Sequence, residues 1–146
     1  MEENSIKGIL YLKFEGVSKP MPLVHLPKDL DHAIVTQINK KMLEYFKEKR
    51  ELNPNKIDIV DLESEEYNGV LMFEEWKDKR KYWGVAKTTI ILLTNLEMKK
   101  IEEKKENLEP LFGKYVNRIV QLEKKEEEKE EYLNLLQEFR EDLINS

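Results

Sequence analysis

A chain of 146 residues, 38% charged and 40% hydrophobic, is long enough for one core of ordinary size and too short for two full ones. Its 25 Lys and Arg against 30 Asp and Glu give a formal charge of −5, which excludes a global attraction to nucleic acid or anionic membrane. The absence of cysteine excludes disulfide scaffolds, thiolate metal centres and Cys nucleophiles. No run approaches the ~20 apolar residues of a membrane span, and the first five residues hold two acids where a signal peptide would be apolar. A soluble cytoplasmic protein is expected.

Residues 6–14 are nearly continuously apolar and are followed by Gly16, Pro20 and Pro22 and a second short run, Leu23-Val24-His25-Leu26. This pattern predicts a β-hairpin, with the prolines placing its second strand at a sheet edge. Pro27-Lys28-Asp29-Leu30-Asp31 supplies helix-start chemistry, and Ile34, Ile38, Met42, Tyr45 and Phe46 recur at helical spacing, so one amphipathic helix is expected over about 31–51. Ile57, Ile59 and Leu62 against Asp58 and Asp61 read as a half-exposed edge strand. Residues 69–73 and 88–93 read as two stronger strands. Continuous apolar runs in an antiparallel sheet require cover on both faces, so helices are expected on both sides.

Thr94-Asn95-Leu96-Glu97 has capping-box spacing, and a helical stripe follows through Met98, Ile101, Leu108, Phe112, Tyr115, Val116, Ile119 and Leu122. Pro110 predicts either a kink or a restart capped by Asn107. Nine consecutive charged residues, 123–131, precede a second stripe of Tyr132, Leu135, Leu136, Phe139 and Leu143. A single helix through all of this would be about 75 Å long, more than a small domain is wide, so the tail must fold back or protrude. We therefore expect a domain at 1–122 and, at 123–146, a charged segment with an amphipathic helix. Its stripe buries itself on its own domain, on another copy or on a partner. Oligomerisation is accordingly assigned to Tyr132, Leu136, Phe139 and Leu143. Residues 1–95 carry 15 basic and 16 acidic residues and the remaining 51 carry 10 and 14, so the acidity belongs mostly to the tail.

The inferred order β-β-α-β-β-β-α, with helices on both faces and a further C-terminal helix, resembles the longin and profilin-like folds. Residues 14–24, Phe-Glu-Gly-Val-Ser-Lys-Pro-Met-Pro-Leu-Val, with Leu26-Pro27-Lys28-Asp29-Leu30 after them, look like the opening of small archaeal longin-like proteins. Residues 79–90 resemble the basic, Gly-containing loop before the fifth strand of those proteins, and Leu108-Glu109-Pro110-Leu111 their following helix. Val17-Ser18, in place of a proline after Gly16, and a single Gly84, in place of a glycine pair, depart from that pattern. The resemblance implies an α+β domain with a five-stranded antiparallel sheet, serving as an adaptor in small-GTPase regulation or membrane trafficking, commonly as a dimer.

Chemistry is sparse. The glycines, at 8, 16, 69, 84 and 113, never fall two within five residues, so neither a P-loop nor a dinucleotide fingerprint can be drawn. His25 and His32 flank a corner with no evident ligand partner. Asp58, Asp61, Glu63, Glu65 and Glu66 are explained by a solvated edge. Adjacent Glu74 and Glu75 point to opposite faces, which spoils them as an acid/base pair. No enzymatic activity, cofactor or metal is expected. The one local patch is Trp76-Lys77-Asp78-Lys79-Arg80-Lys81-Tyr82-Trp83, four basic residues between both tryptophans of the chain. The plain reading is a polar hairpin loop whose tryptophans cap the end of the sheet. Of its functional readings we favour a protein interface at Trp76, Lys79, Arg80, Lys81, Tyr82 and Trp83. A dimerising helical tail is the first alternative, and a nucleic-acid or membrane-surface binder using the same loop is the second.

Overall fold

The computed structural model describes residues 1–15, 21–48, 53–62, 66–80 and 84–146. Its strands are β1 (Ile6–Glu15), β2 (Met21–Leu26), β3 (Asp58–Leu62), β4 (Tyr67–Lys77) and β5 (Val85–Thr94), and its helices are α1 (His32–Glu48), α2 (Met98–Glu103), α3 (Lys105–Lys124) and α4 (Lys129–Ile144). The strands form one antiparallel sheet in the order β2-β1-β5-β4-β3. The chain is thus a mixed α+β structure. Among the described residues no helix is long and apolar enough to cross a membrane.

The continuous apolar runs are explained by two cores. Successive residues of a strand point to opposite faces, and those of β1, β4 and β5 alternate between two hydrophobic clusters. Leu10, Leu12, Leu71, Phe73, Ile91 and Leu93 join Val35, Ile38 and Met42 of α1. Ile9, Tyr11, Val70, Met72, Ile90 and Leu92 join Leu108, Phe112, Val116 and Ile119 of α3 together with Leu135, Leu136, Phe139 and Leu143 of α4. A bulge between Ile6 and Gly8 in the β1–β5 register resets the alternation, so that Ile6 packs against the same cluster as Ile9.

Strands β4 and β5 are longer than their apolar runs, because the pairing continues through Glu74–Thr88, Glu75–Lys87, Trp76–Ala86 and Lys77–Val85. Ladder hydrogen bonds need no apolar side chain, so this extension has no hydrophobic signature. The capping box forms differently. Thr94 Oγ1 accepts from the Leu96 amide at 3.1 Å, and the residue at the N-cap of α2 is Glu97, which makes no side-chain cap bond. The helix breaks at Lys104, three residues before Asn107, and Pro110 lies inside α3 on its exposed face. Gly113, also inside α3, is a position where an added Cβ would meet only Met72 Sδ, at 3.9 Å. Gly113→Ala is therefore expected to raise stability by about 0.5–1 kcal/mol, read by urea denaturation, since alanine lowers the entropic cost of the helix without a clash.

The tail folds back. Glu126 sits in the left-handed region (φ 56°), the Glu127 amide donates to Leu122 O and the Glu126 amide to Glu123 O, each at 3.1 Å. This is the Schellman pattern that ends helices, with a glutamate where glycine is usual. Leu136, Phe139 and Leu143 are fully buried, and Phe139 packs edge-on to Phe112 at 5.0 Å and against Tyr115 at 5.1 Å. Two expectations change accordingly. The boundary expected between 122 and 123 falls inside α3, with one cluster spanning both sides. The stripe assigned to oligomerisation lies in the chain's own core, because a helix that reverses at Glu126 lies back along α3 and the β1–β2 edge of the sheet.

Candidate functional site

The basic loop leaves β4 and enters β5 through a closed base. The Asp78 amide donates to Gly84 O at 2.7 Å, and Gly84 has φ +72°, a conformation that residues with a side chain adopt only rarely. Asp78, 2% exposed, accepts a fork from Arg80: Nε to Oδ1 at 2.9 Å and Nη2 to Oδ2 at 3.2 Å, with the Arg80 amide adding 3.1 Å to Oδ1. That fork holds the Asp78 carboxyl below the usual carboxylate range against the opposing effect of burial, and the Lys13 charge adds to it. The same guanidinium reaches the turn after α3, with Nη2 donating to Glu123 O at 3.1 Å and Nη1 pairing with Glu126 at 2.7 Å. One arginine thus ties the end of α3 and the turn that follows it to the loop.

Beneath the loop lies a polar cluster. Glu123, in the last turn of α3, is 4% exposed. Its carboxylate accepts from the Tyr11 hydroxyl of β1, from the Thr88 hydroxyl of β5 (2.8 Å to Oε1, 2.7 Å to Oε2), and from the Trp76 indole of β4 at 3.1 Å. Trp76 Nε1 also lies 3.0 Å from Thr88 Oγ1. Burial pushes the Glu123 carboxyl up, opposed by the hydrogen bonds from Tyr11 and Thr88, the charge of Lys13 and the indole. Lys13 and Lys124 set their ammonium groups 5.5 and 5.8 Å from the Trp76 ring. Tyr132 stacks on Tyr11 with centroids 5.0 Å apart and planes 8° apart, and burial pushes its hydroxyl up to about 12. Above the cluster opens a cavity of about 370 Å³, lined by Tyr11, Lys13, Val24 and Arg80 on one side and by Glu123, Glu126, Glu127, Lys129 and Tyr132 on the other.

The six loop residues singled out from the sequence therefore divide. Lys79 is exposed. The Trp76 indole and the Arg80 guanidinium are engaged within the molecule and position the loop. Lys81, Tyr82 and Trp83 lie outside the described residues. Of the other polar candidates, His25 Nδ1 sits 2.8 Å from Pro27 O on the surface. Asp58 accepts from the Tyr45 hydroxyl at 2.9 Å. Glu63 and Glu65 lie outside the described residues, among which no group of three or more His, Cys, Asp or Glu is placed to hold a metal ion.

Glu123 and Tyr11 were not singled out from the sequence. Glu123 opens the nine-residue charge run, which reads as a solvated face. A signal was nevertheless present, since 112, 116, 119 and 123 follow one another at helical spacing, so the buried stripe of α3 continues through the first residue of that run. In comparisons with known proteins, no family model, no curated protein and no solved structure matches the chain.

Proposed function

We propose that the chain is a non-enzymatic protein-interaction module, a longin-like adaptor serving small GTPases or trafficking-type machinery, whose contact surface is the 76–83 loop. Support for the longin-like part comes from the element order β-β-α-β-β-β-α around a five-stranded antiparallel sheet, together with the turn and loop signatures at 14–30 and 79–90. The observation that carries the interface is the anchoring of the loop. Asp78 closes it against Gly84, and Arg80 binds it to Asp78, Glu123 and Glu126. The described base of the loop, Asp78 and Arg80 with Gly84 opposite, is held this way and so loses little conformational freedom when a partner binds. The competing tail-dimer reading loses its apolar stripe to the chain's own core.

The test is a double charge reversal, Lys79→Glu with Lys81→Glu, assayed by capture of small GTPases from native extract alongside thermal unfolding. Capture should be lost with an unchanged melting temperature; capture equal to wild type by the folded variant removes the loop from the reading. Arg80 is left untouched in this variant, because its removal would strand the buried Asp78 carboxylate without its strongest partner.

A further inference from the structure

The reversal between α3 and α4 is made by residues that favour continuing the helix. Positions 123–131 read Glu-Lys-Lys-Glu-Glu-Glu-Lys-Glu-Glu, good helix formers throughout, with neither Gly nor Pro to stop the helix. The chain turns all the same, by placing Glu126 in the left-handed region at φ 56°, where only a residue without a side chain is at ease. Two sets of contacts hold the turn closed. The Glu126 and Glu127 amides donate back to Glu123 O and Leu122 O, and Arg80 donates to Glu123 O and pairs with the Glu126 carboxylate at 2.7 Å.

Straightening the turn exchanges those two backbone bonds for ordinary helical ones, Glu126 to Leu122 and Glu127 to Glu123, and releases Glu126 from the left-handed conformation at the expense of the Arg80 contacts. The helix α4 cannot then swing into water, because Leu135, Leu136, Phe139 and Leu143 on its inner face are buried. The surface that fits this face is the seat made by α3, β1 and β2, and a second copy of the chain offers the same seat. A helix running unbroken from the start of α3 to the end of α4 is roughly 60 Å long, too long for one domain and suited to a span between two.

We infer that two copies of the chain exchange α4 across a hinge at 124–128, the turn straightening in both and each α4 packing on the α3, β1 and β2 of the other copy. Short connections under strain are where such exchange arises. It needs no free apolar stripe, since the interface is the one already made within the chain, formed between copies instead. In the exchanged pair Tyr132 of one copy stacks on Tyr11 of the other, so the cavity beside each loop is completed by the neighbouring copy. The inference is independent of the adaptor reading.

The full chain is unfolded in guanidinium, refolded at micromolar and at millimolar concentration, and sized by light scattering. Millimolar refolding should yield a dimer beside the monomer, and the two should interconvert slowly, since α4 leaves its seat only when the core opens. Glu126→Gly relieves the left-handed residue and weakens the straightened helix. It should raise the dissociation constant of the dimer by about thirtyfold or more, because each effect counts once in each copy. Cross-linking reads the identity of the contact. Arg118 of α3 and Glu138 of α4 face each other at 2.7 Å on the surface, and the chain has no cysteine of its own. Copies carrying Arg118→Cys and copies carrying Glu138→Cys are refolded together and treated with a short bismaleimide. A link between the two should form after joint refolding and not after mixing of folded monomers. Millimolar refolding that yields monomer alone overturns the inference. So does a dimer whose copies do not link 118 to 138, or one that Glu126→Gly leaves equally tight.

Discussion

Glu123→Gln is expected to abolish a pH dependence of stability that the wild-type chain shows on the acidic side of neutrality, while Glu123→Ala is expected to destabilise the fold at every pH. The carboxyl is pushed above its ordinary value of 4.5 by burial, so the folded state holds the proton more tightly than the unfolded chain does. By linkage, the stability contributed by this group is fully present below 4.5, declines as pH rises through the folded value, and is flat above it. Subtracting the Glu123→Gln curve isolates the contribution of this one carboxyl from that of the rest of the chain. Urea unfolding at half-unit steps from pH 4 to 8.5 reads it. A wild-type-minus-Gln difference that is flat, or that rises with pH, would contradict the burial-dominated shift.

The alanine variant tests the structural side of the same residue. It removes the acceptor shared by Tyr11, Thr88 and Trp76, three side chains on three strands, and leaves a void at the end of α3. Loss of such a buried acceptor with its volume costs about 2–4 kcal/mol. Gln keeps the volume and one acceptor oxygen, so its cost should be far smaller. If Ala and Gln behaved alike, the hydrogen bonds would be irrelevant and only the charge would matter.

Truncation after Leu122 is expected to unfold the domain instead of releasing a folded monomer. It removes Leu135, Leu136, Phe139 and Leu143, all buried, and uncovers the inner face of α3 and the Ile9–Tyr11 part of β1. Four buried apolar side chains at roughly 1.5–3 kcal/mol each amount to something comparable with the entire stability of a domain this size. Near-UV circular dichroism should collapse and a dye for exposed apolar surface should bind. The milder Phe139→Ala, which takes away the ring packed on Phe112 and Tyr115, should cost about 3–5 kcal/mol and leave the mass seen by light scattering unchanged. A truncated chain that melts cooperatively as a monomer would restore the separate tail.

Much of the fold was legible because its signals are local and periodic. The runs at 6–14, 69–73 and 88–93 marked strands, and their lack of alternation already required two covered faces. The edge position of the proline-bearing second strand followed from missing amide donors, and β2 is an outer strand. The loop at 76–83 stood out because basic residues cluster there between two tryptophans. Which of those residues face outward was not legible: Arg80 and Trp76 are held by Glu123 and Glu126, more than 40 positions away, and sequence distance hides such partners.

By itself the sequence determined the class of the elements and their order, the need for helices on both sides of the sheet, and the impossibility of one uninterrupted C-terminal helix, since each follows from periodicity, length or the geometry of a backbone without a donor. Tertiary structure alone decided where the tail goes, whether a charged residue is solvated, and which side of the loop is inward. Those outcomes depend on whether a distant surface offers apolar contact or hydrogen-bond donors. Glu123 has the same side chain as Glu126, Glu127 and Glu128, and it is buried because Tyr11, Thr88 and Trp76 converge on the place where α3 ends.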